Sequence, residues 1–445
     1  MKFKLVIFTC FLMVNKNLFA TDDILKKLMV KGFEKSKIIE TLNIKFSQTK
    51  NNTWRSYTAL LPVLSASASR NHIRTHDYSD SGERTNVKTR NDSLTLDASW
   101  TLWDNFSTIN NIRSTRLQES IVKHSTDVNE QQFYRAIVEL YIEIQVLIYK
   151  KDSDQELLKQ ASKAKEEALF LINLGQKTKF EAYDAEIDMV NAERDLMEVK
   201  NDLEMSMRQM KYFIGEDENL EIPAIDLISY KPFYLEAFEK TFKKYKESWK
   251  DNYEDKNISI VISKLQFEQS GISYFSEKLS LFPVLKISLN DTYDYSYKIK
   301  QHASAYETSP KNELSLGLSA TWSLWDFWST PKRVENSYLD FKIAEINFQD
   351  EKIKVQTEIQ NTIDKYEINL KSVEASILVL DKAVQNYDYN SYMYRLGKIN
   401  LMTRQRAMAQ LHSAKIQLAD RLKNKYLLAS QLIINFGEKI YSSSL

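Results

Sequence analysis

Two hydrophobic rhythms alternate along the chain. The first has a period of two. Leu94, Leu96, Ala98, Trp100 and Leu102 alternate with Ser93, Thr95, Asp97, Ser99 and Thr101. Leu314, Leu316, Leu318, Ala320, Trp322 and Leu324 alternate in the same way with Ser315, Gly317, Ser319, Thr321 and Ser323. Each run has a partner ahead of it. Leu285, Ile287, Leu289, Tyr293 and Tyr295 alternate with polar residues, Asp291 breaking the parity, and Leu64, Ala66 and Ala68 alternate more weakly with serines. Side chains on a strand point to opposite faces in turn, so each segment predicts a strand with one apolar and one polar face. At about ten residues each, the segments have the length a tilted strand needs to cross a bilayer. The polar stretches between partners, Asp77 to Asn91 and Ile299 to Lys311, read as exposed loops.

The second rhythm steps three then four. It runs through Phe133, Ile137, Leu140, Ile144 and Leu147, and from Ala182 through Ala192, Leu196 and Met210 to Phe213. In the later half it runs from Phe348 and Val355 through Val373, Ile377, Leu380 and Val384 to Tyr387, then from Leu411 to Phe436. A seam near 3.5 residues predicts helices packed as coiled coils. Asn105 to Leu174 contains neither Gly nor Pro, and as one helix it would run roughly 100 Å at about 1.5 Å per residue. Gly175 and Gly397 fall between seams, where a helix can end in a left-handed residue, and are read as hairpin tips.

The two halves are copies. Ser99-Trp100-Thr101-Leu102-Trp103-Asp104 returns as Thr321-Trp322-Ser323-Leu324-Trp325-Asp326, an offset of 222. Leu174-Gly175 returns as Leu396-Gly397 and Gly215-Glu216 as Gly437-Glu438 at the same offset, while Leu61-Pro62-Val63-Leu64 matches Phe282-Pro283-Val284-Leu285 at 221. An internal tandem duplication therefore sets the organisation: a first repeat over 21–216, a linker over 217–256 marked by Pro223, Pro232 and Lys243-Lys244, a second repeat over 257–438 and a short tail over 439–445.

Residues 1–20 change the compartment. Lys2 and Lys4, the apolar run Leu5 to Val14 and a small residue at Ala20 form a secretory signal peptide, with the mature start at Thr21. The one cysteine, Cys10, lies inside this leader, so the mature chain has no thiol for a disulfide, a zinc site or a nucleophile. Losing Lys2, Lys4 and Lys16 takes the net charge from +1 to −2, which offers no general footprint for nucleic acid. The five histidines, His72, His76, His124, His302 and His412, fall in no His-Glu-x-x-His frame, and no Gly-x-Ser-x-Gly elbow or phosphate-binding glycine loop occurs. No enzyme, metal site or cofactor is expected.

Trp100, Trp103 and Phe106, and again Trp322, Trp325 and Trp328, cluster where the strands end. Such rings concentrate where lipid meets water, so outer-membrane lipid is the expected surroundings of these strands. Four strands cannot close a barrel, and an open sheet edge in lipid leaves backbone groups unpaired at several kcal/mol each. Closed barrels start at about eight strands, and three copies would supply twelve. The fold class expected is thus mixed: a transmembrane β-barrel shared between three protomers, four strands each, joined to coiled-coil helical hairpins.

The duplicated Trp-x-Leu-Trp-Asp at Trp100–Asp104 and Trp322–Asp326, the Pro-Val-Leu before each strand pair and the Leu-Gly tips resemble the TolC family of outer-membrane efflux proteins over nearly the whole mature chain. Members usually place glycines after that Asp, where this chain has Asn105-Phe106 and Phe327-Trp328. The resemblance implies a homotrimer whose barrel continues into a long periplasmic α-helical barrel, with 217–256 and the chain after Gly437 in an equatorial collar. It implies a passive conduit for small-molecule efflux or type I protein secretion, with a periplasmic adaptor (membrane fusion protein) and an inner-membrane pump as partners. It also implies an acidic pore constriction near the tips, for which Asp388, Glu166 and Glu167 are the candidates. Leu174, Gly175, Arg395, Leu396 and Gly397 would dock the adaptor, beside basic Lys177, Lys179 and Lys398. The alternative is a structural coiled-coil or adhesin-like outer-membrane protein without a transport role. That reading predicts one continuous stalk, whereas strand pairs repeated at a fixed offset favour the channel.

Overall fold

A computed structural model describes residues 24–78, 84–175, 179–215, 221–300 and 307–440. The expected leader, Lys177 and His302 lie outside these residues. In chain order the elements are α1 (residues 24–35), α2 (Lys37–Thr58), β1 (Val63–Tyr78), β2 (Arg84–Trp103), α3 (Ser107–Asn173), α4 (Lys179–Ile214), α5 (Phe233–Lys256), α6 (Ile258–Leu279), β3 (Val284–Lys300), β4 (Glu307–Thr321), α7 (Ser329–Arg395) and α8 (Leu401–Asn435). No helix among the described residues is long and apolar enough to cross a membrane. The chain divides into two compact units, one holding the strands (Lys45–Lys123 and Ile262–Gln349), the other the described parts of Met1–Ile44, His124–Val261 and Asp350–Leu445.

In the strand unit the four strands form one antiparallel sheet in the order β1-β2-β3-β4. Residues directly opposite in an antiparallel ladder share a face. Ala66 stands opposite Leu96, Leu96 opposite Asp291 and Asp291 opposite Leu314. The row below joins Leu64, Ala98, Leu289 and Leu316, which confirms the apolar parity read from sequence. On the other face Ser67, Thr95, Thr292 and Glu313 line up. Asp291 sets a carboxylate among the leucines of this face, between Leu96 and Leu314.

Two expectations about these strands fail. The polar stretches Asp77–Asn91 and Ile299–Lys311 are mostly strand, since β1 runs to Tyr78, β2 starts at Arg84, β3 runs to Lys300 and β4 starts at Glu307. Ladder bonds join backbone groups whatever the side chains, so pairing continues past the point where alternation disappears. At the other end β4 stops at Thr321, so Trp322 and Leu324 lie beyond the ladder. There the Trp322 indole Nε1 donates to the Leu281 carbonyl, 2.9 Å away.

In the helical unit the long helices form as expected. α3 and α7 each have 67 residues, and the stretch predicted from Asn105 to Leu174 is α3 with its two flanks. The seam residues Phe133, Ile137, Ile144, Leu196, Val355, Ile359, Tyr366 and Leu418 are buried. Towards the end of α7 the seam departs from the sequence pattern: Ile377 and Val384 are 43% and 39% exposed, and Ser376 and Ala383 are the less exposed neighbours. An α-helix drifts about 20° per heptad against a strict seven-residue repeat, enough to move the packed edge by one position.

The segment between the repeats is fastened to this unit by buried polar side chains. Gln145, 1% exposed, donates from Nε2 to the Pro223 carbonyl (2.9 Å) and accepts at Oε1 from the Ile225 N–H (3.1 Å). The Tyr426 hydroxyl lies 3.1 Å from the Leu227 carbonyl and 2.9 Å from that of Tyr230. Burial pushes both the Tyr426 and Tyr366 hydroxyls well above the usual phenol range, so each stays neutral, and Tyr426 remains a donor to both carbonyls. α5 then packs on α8, with Lys425 bridging to Glu239 at 2.7 Å.

Candidate functional site

Three places carry the residues singled out from sequence. The first is the turn from each second strand into its long helix. Asp104 Oδ2 accepts from the Thr108 N–H at 2.7 Å and from the Thr108 hydroxyl, and Asp326 Oδ2 does the same with Thr330. These bonds stabilise orphan donors of the first helical turn, and Thr330's bonds hold the Asp326 carboxyl below the usual carboxylate range. Immediately after the Asp the backbone turns left-handed for two residues: φ is +60° and +63° at Asn105 and Phe106, and +55° and +67° at Phe327 and Trp328. Each such residue with a side chain costs about 1–2 kcal/mol, which is the physical reason glycine suits these positions. Asn105 is compensated. Its Nδ2 donates to the Phe282 carbonyl at 2.7 Å and its Oδ1 accepts from Trp103 Nε1 at 2.9 Å. Phe327 holds the same place with an 86% exposed ring.

The aromatic sets expected at the strand ends do gather there. Trp103 meets Phe106 edge-on with centroids 4.9 Å apart, and Trp325 meets Trp328 at 5.8 Å. Trp100 Nε1 donates to the Leu60 carbonyl (3.0 Å), matching the Trp322 bond to Leu281 one repeat later. Trp100 and Trp322 thus tie the strand end to the preceding turn, while Trp103 donates forward to Asn105. The six rings stay exposed, from 42% at Trp103 to 65% at Trp325.

The second place is the pair of hairpin tips, which lie in one cluster. Ala164 and Ala168 of α3 pack with Ala182 and Ala185 of α4 and with Leu401 of α8, and Tyr394 of α7 joins them. Gly175 and Gly397 both have φ +70°. At the second tip the Lys398 N–H donates to the Met393 carbonyl (3.0 Å) and the Gly397 N–H to Tyr394 (2.9 Å), a six-to-one and five-to-two pair that closes the helix end. Nothing lies within 4 Å of where a side chain would begin at either glycine, so the positive φ alone demands glycine. Gly215 and Gly437 differ: a Cβ at Gly215 would stand 2.9 Å from the Lys35 carbonyl oxygen, and one at Gly437 would press closer on that of Lys256.

Of the candidate constriction residues, Asp388 and Glu166 are exposed. Glu167 is engaged: Arg404 Nη1 lies 3.2 Å from its Oε2, and the Tyr394 hydroxyl donates to the same oxygen at 3.3 Å. The Arg404 guanidinium lies over the Tyr394 ring, 5.0 Å from its centroid. Sequence reasoning missed Arg404, which is 237 residues from its carboxylate and outside any motif. Leu174, Leu396, Arg395, Lys179 and Lys398 are exposed around the two tips.

The third place resembles catalytic chemistry and is packing. Ser153 Oγ lies 3.0 Å from His412 Nδ1, and His412 Nε2 lies 3.1 Å from Asp154 Oδ1. The order Ser–His–Asp is that of a hydrolase relay, but Ser153 and Asp154 are consecutive on α3, 8% and 2% exposed, with α8 packed over them. No group of three or more His, Cys, Asp or Glu among the described residues is placed to hold a metal.

No protein-family model matches the sequence, and no curated protein does. Solved structures do. The chain aligns with the outer-membrane channel OprN over 95% of its own length and 92% of that chain, with a TM-score of 0.76 at 13% identity. It has the channel fold of the TolC family. The outer membrane protein VceC from Vibrio cholerae matches at a TM-score of 0.74 and 11% identity over 94% of this chain and 97% of that one, and the Campylobacter jejuni CmeC outer membrane channel at 0.73 and 14% over 93% and 85%. In this TolC-type fold the duplication survives as geometry: the four helix-ending glycines, the two Asp–Thr caps and the two Trp-to-carbonyl bonds all recur at offsets of 221 or 222.

Proposed function

We propose that the chain is one protomer of a homotrimeric outer-membrane channel. It is a passive conduit through which an inner-membrane pump, acting through a periplasmic adaptor, exports small molecules or polypeptides. The observation that carries this reading is the sheet. It has one leucine-rich face and one polar face, and its two outer strands, β1 and β4, have no neighbour among the described residues on their far sides. An apolar band with open edges is unstable both in water and in lipid, and pairing β4 of one copy with β1 of the next removes the edges while leaving the leucines outward. The neighbours OprN and CmeC are outer-membrane channels, which supports the same assignment. Duplicated hairpins with tips in one cluster suit a conduit better than the single continuous stalk of an adhesin-like protein.

Within this reading the tips are the periplasmic gate and the adaptor-docking site. Asp388 and Glu166 are the residues free to form an acidic ring on the three-fold axis, and rings of carboxylates bind and select cations. Residues 217–256 contribute to a collar outside the helices. The decisive experiment combines mass measurement of the detergent-purified protein with conductance in planar bilayers. The expected result is a trimer that inserts and opens stepwise currents. A stable monomer with native strand content, or a trimer that never conducts, overturns the proposal.

A further inference from the structure

The outward face of the sheet does not end at its leucines. Beyond Ala68 and Leu94 the same parity continues as Arg70, His72 and Arg74 on β1 and Asp92, Arg90 and Lys88 on β2. These are the hairpin-turn ends of the strands, away from the Trp clusters. Asp92 serves two guanidiniums: Arg70 Nε and Nη2 donate to its two oxygens at 2.8 and 3.1 Å, and Arg90 Nη2 donates at 2.6 Å. That leaves a surplus of positive charge. Arg74 stands directly opposite Lys88 and His72 directly opposite Arg90. Neither Arg74 nor Lys88 has a carboxylate partner among the described residues. Like charges facing each other across a ladder destabilise it. A cleft of about 520 Å³ opens at this spot, lined by His72, Arg74, Lys88, Arg90 and Tyr295.

We propose that this cleft binds the phosphate group of an outer-leaflet lipid headgroup. Resting on the channel reading above, the hairpin turns face the outside and the leucine band marks the hydrocarbon. At about 3.3 Å per residue and a tilt near 40°, Asp92 lies about 5 Å and Lys88 about 15 Å beyond Leu94 along the membrane normal. That is the depth of headgroups. A phosphate between Arg74 and Lys88 turns their repulsion into two charge-assisted contacts, with the Arg fork suited to two oxygens at once. Arg90, already held in place by Asp92, closes the third side. Tyr295 offers a ring at the boundary between acyl chains and headgroups. The ligand class is a phosphorylated lipid, and the diphosphorylated glucosamine lipid, lipid A, is the probe that presents it.

The test uses the full-length trimer with phosphatidylcholine vesicles containing or lacking lipid A. Flotation with plain phosphatidylcholine vesicles comes first; a wild-type protein that stays behind sinks the channel reading and this proposal together. For protein that floats, lipid A retained after detergent extraction is counted by native mass spectrometry. Arg74→Gln with Lys88→Gln should lower retention by about tenfold or more. Lys286→Gln, which removes a charge from the opposite face, should leave it unchanged. Equal retention in wild type and the double variant, with flotation intact, overturns the lipid site while sparing the channel. Loss of the lipid to an equal concentration of inorganic phosphate reassigns the cleft to a free anion and also overturns it.

Discussion

Phe327 sits in a left-handed backbone that nothing in its surroundings repays, since its ring makes one edge contact, with Trp325 at 6.3 Å, and is otherwise exposed. Phe327→Gly is therefore expected to stabilise the turn by about 1 kcal/mol, read as a higher denaturation midpoint. If the ring anchors the protein at the lipid boundary, the same variant inserts less well into vesicles; no change in either measurement removes both arguments. The second residue-scale prediction concerns Asp154. With His412→Ala this 2% exposed carboxylate loses the ring nitrogen facing it, at a cost on the order of 2–3 kcal/mol. Asp154→Asn combined with His412→Gln should cost much less, and equal losses would show that cavity formation, not the unpaired carboxylate, dominates. The helix-ending glycines were legible as residues, because few other residues tolerate a positive φ. The Asp154–His412 and Glu167–Arg404 pairs were not, because each joins helices that meet only through the fold.

The strands show where pattern stops informing. Alternation identifies a strand only while its two faces differ, and here they differ over the leucine band alone. Past Asp92 the outward positions are Arg, His and Lys while the inward ones are mostly Asn and Thr, so both faces read polar and the strand ends within 77–91 and 299–311 looked like loop. α3 was legible almost to the residue, because a long stretch without Gly or Pro carries a three-four seam, whereas the seam of α7 was read only from Phe348 to Tyr387 and the helix starts at Ser329. Facing can be tested at this scale. Leu96→Arg or Leu316→Arg places a charge on the leucine face and should cost about 2–4 kcal/mol near the midplane. Thr95→Arg and Ser315→Arg, on the opposite face, should be far milder in folding titrations into lipid vesicles. Equal sensitivity of the two parities would falsify a lipid-facing leucine band. Asp291 already interrupts that band between Leu96 and Leu314, so Asp291→Leu is expected to stabilise the inserted protein in the same assay.

At the scale of the whole molecule the question is which carboxylates near the tips do electrical work. In the proposed trimer, three-fold symmetry would bring each side chain near its copies, so an unpaired carboxylate there would repel its equivalents and attract a cation between them, while a paired one would do neither. Glu167 is paired: Arg404, with a side chain 15% exposed, and Tyr394 both hold it, binding α3 to α7 and α8. Asp388 is exposed and close to the second tip. Asp388→Ala should therefore raise single-channel conductance in planar bilayers and weaken block by divalent cations, with trimer yield unchanged. Glu167→Ala should do the opposite: it leaves Arg404 and Tyr394 without their acceptor, lowers the stability of the tip, and changes divalent block little. Bulky replacement of Gly397 separates docking from gating. The site is open, so the substitution strains only the turn, and export and adaptor cross-linking should fall while the trimer survives. If Asp388→Ala leaves conductance and block at wild-type values while Glu167→Ala alters both, the gate belongs to the Glu167–Arg404 contact, which would have to break for the channel to open.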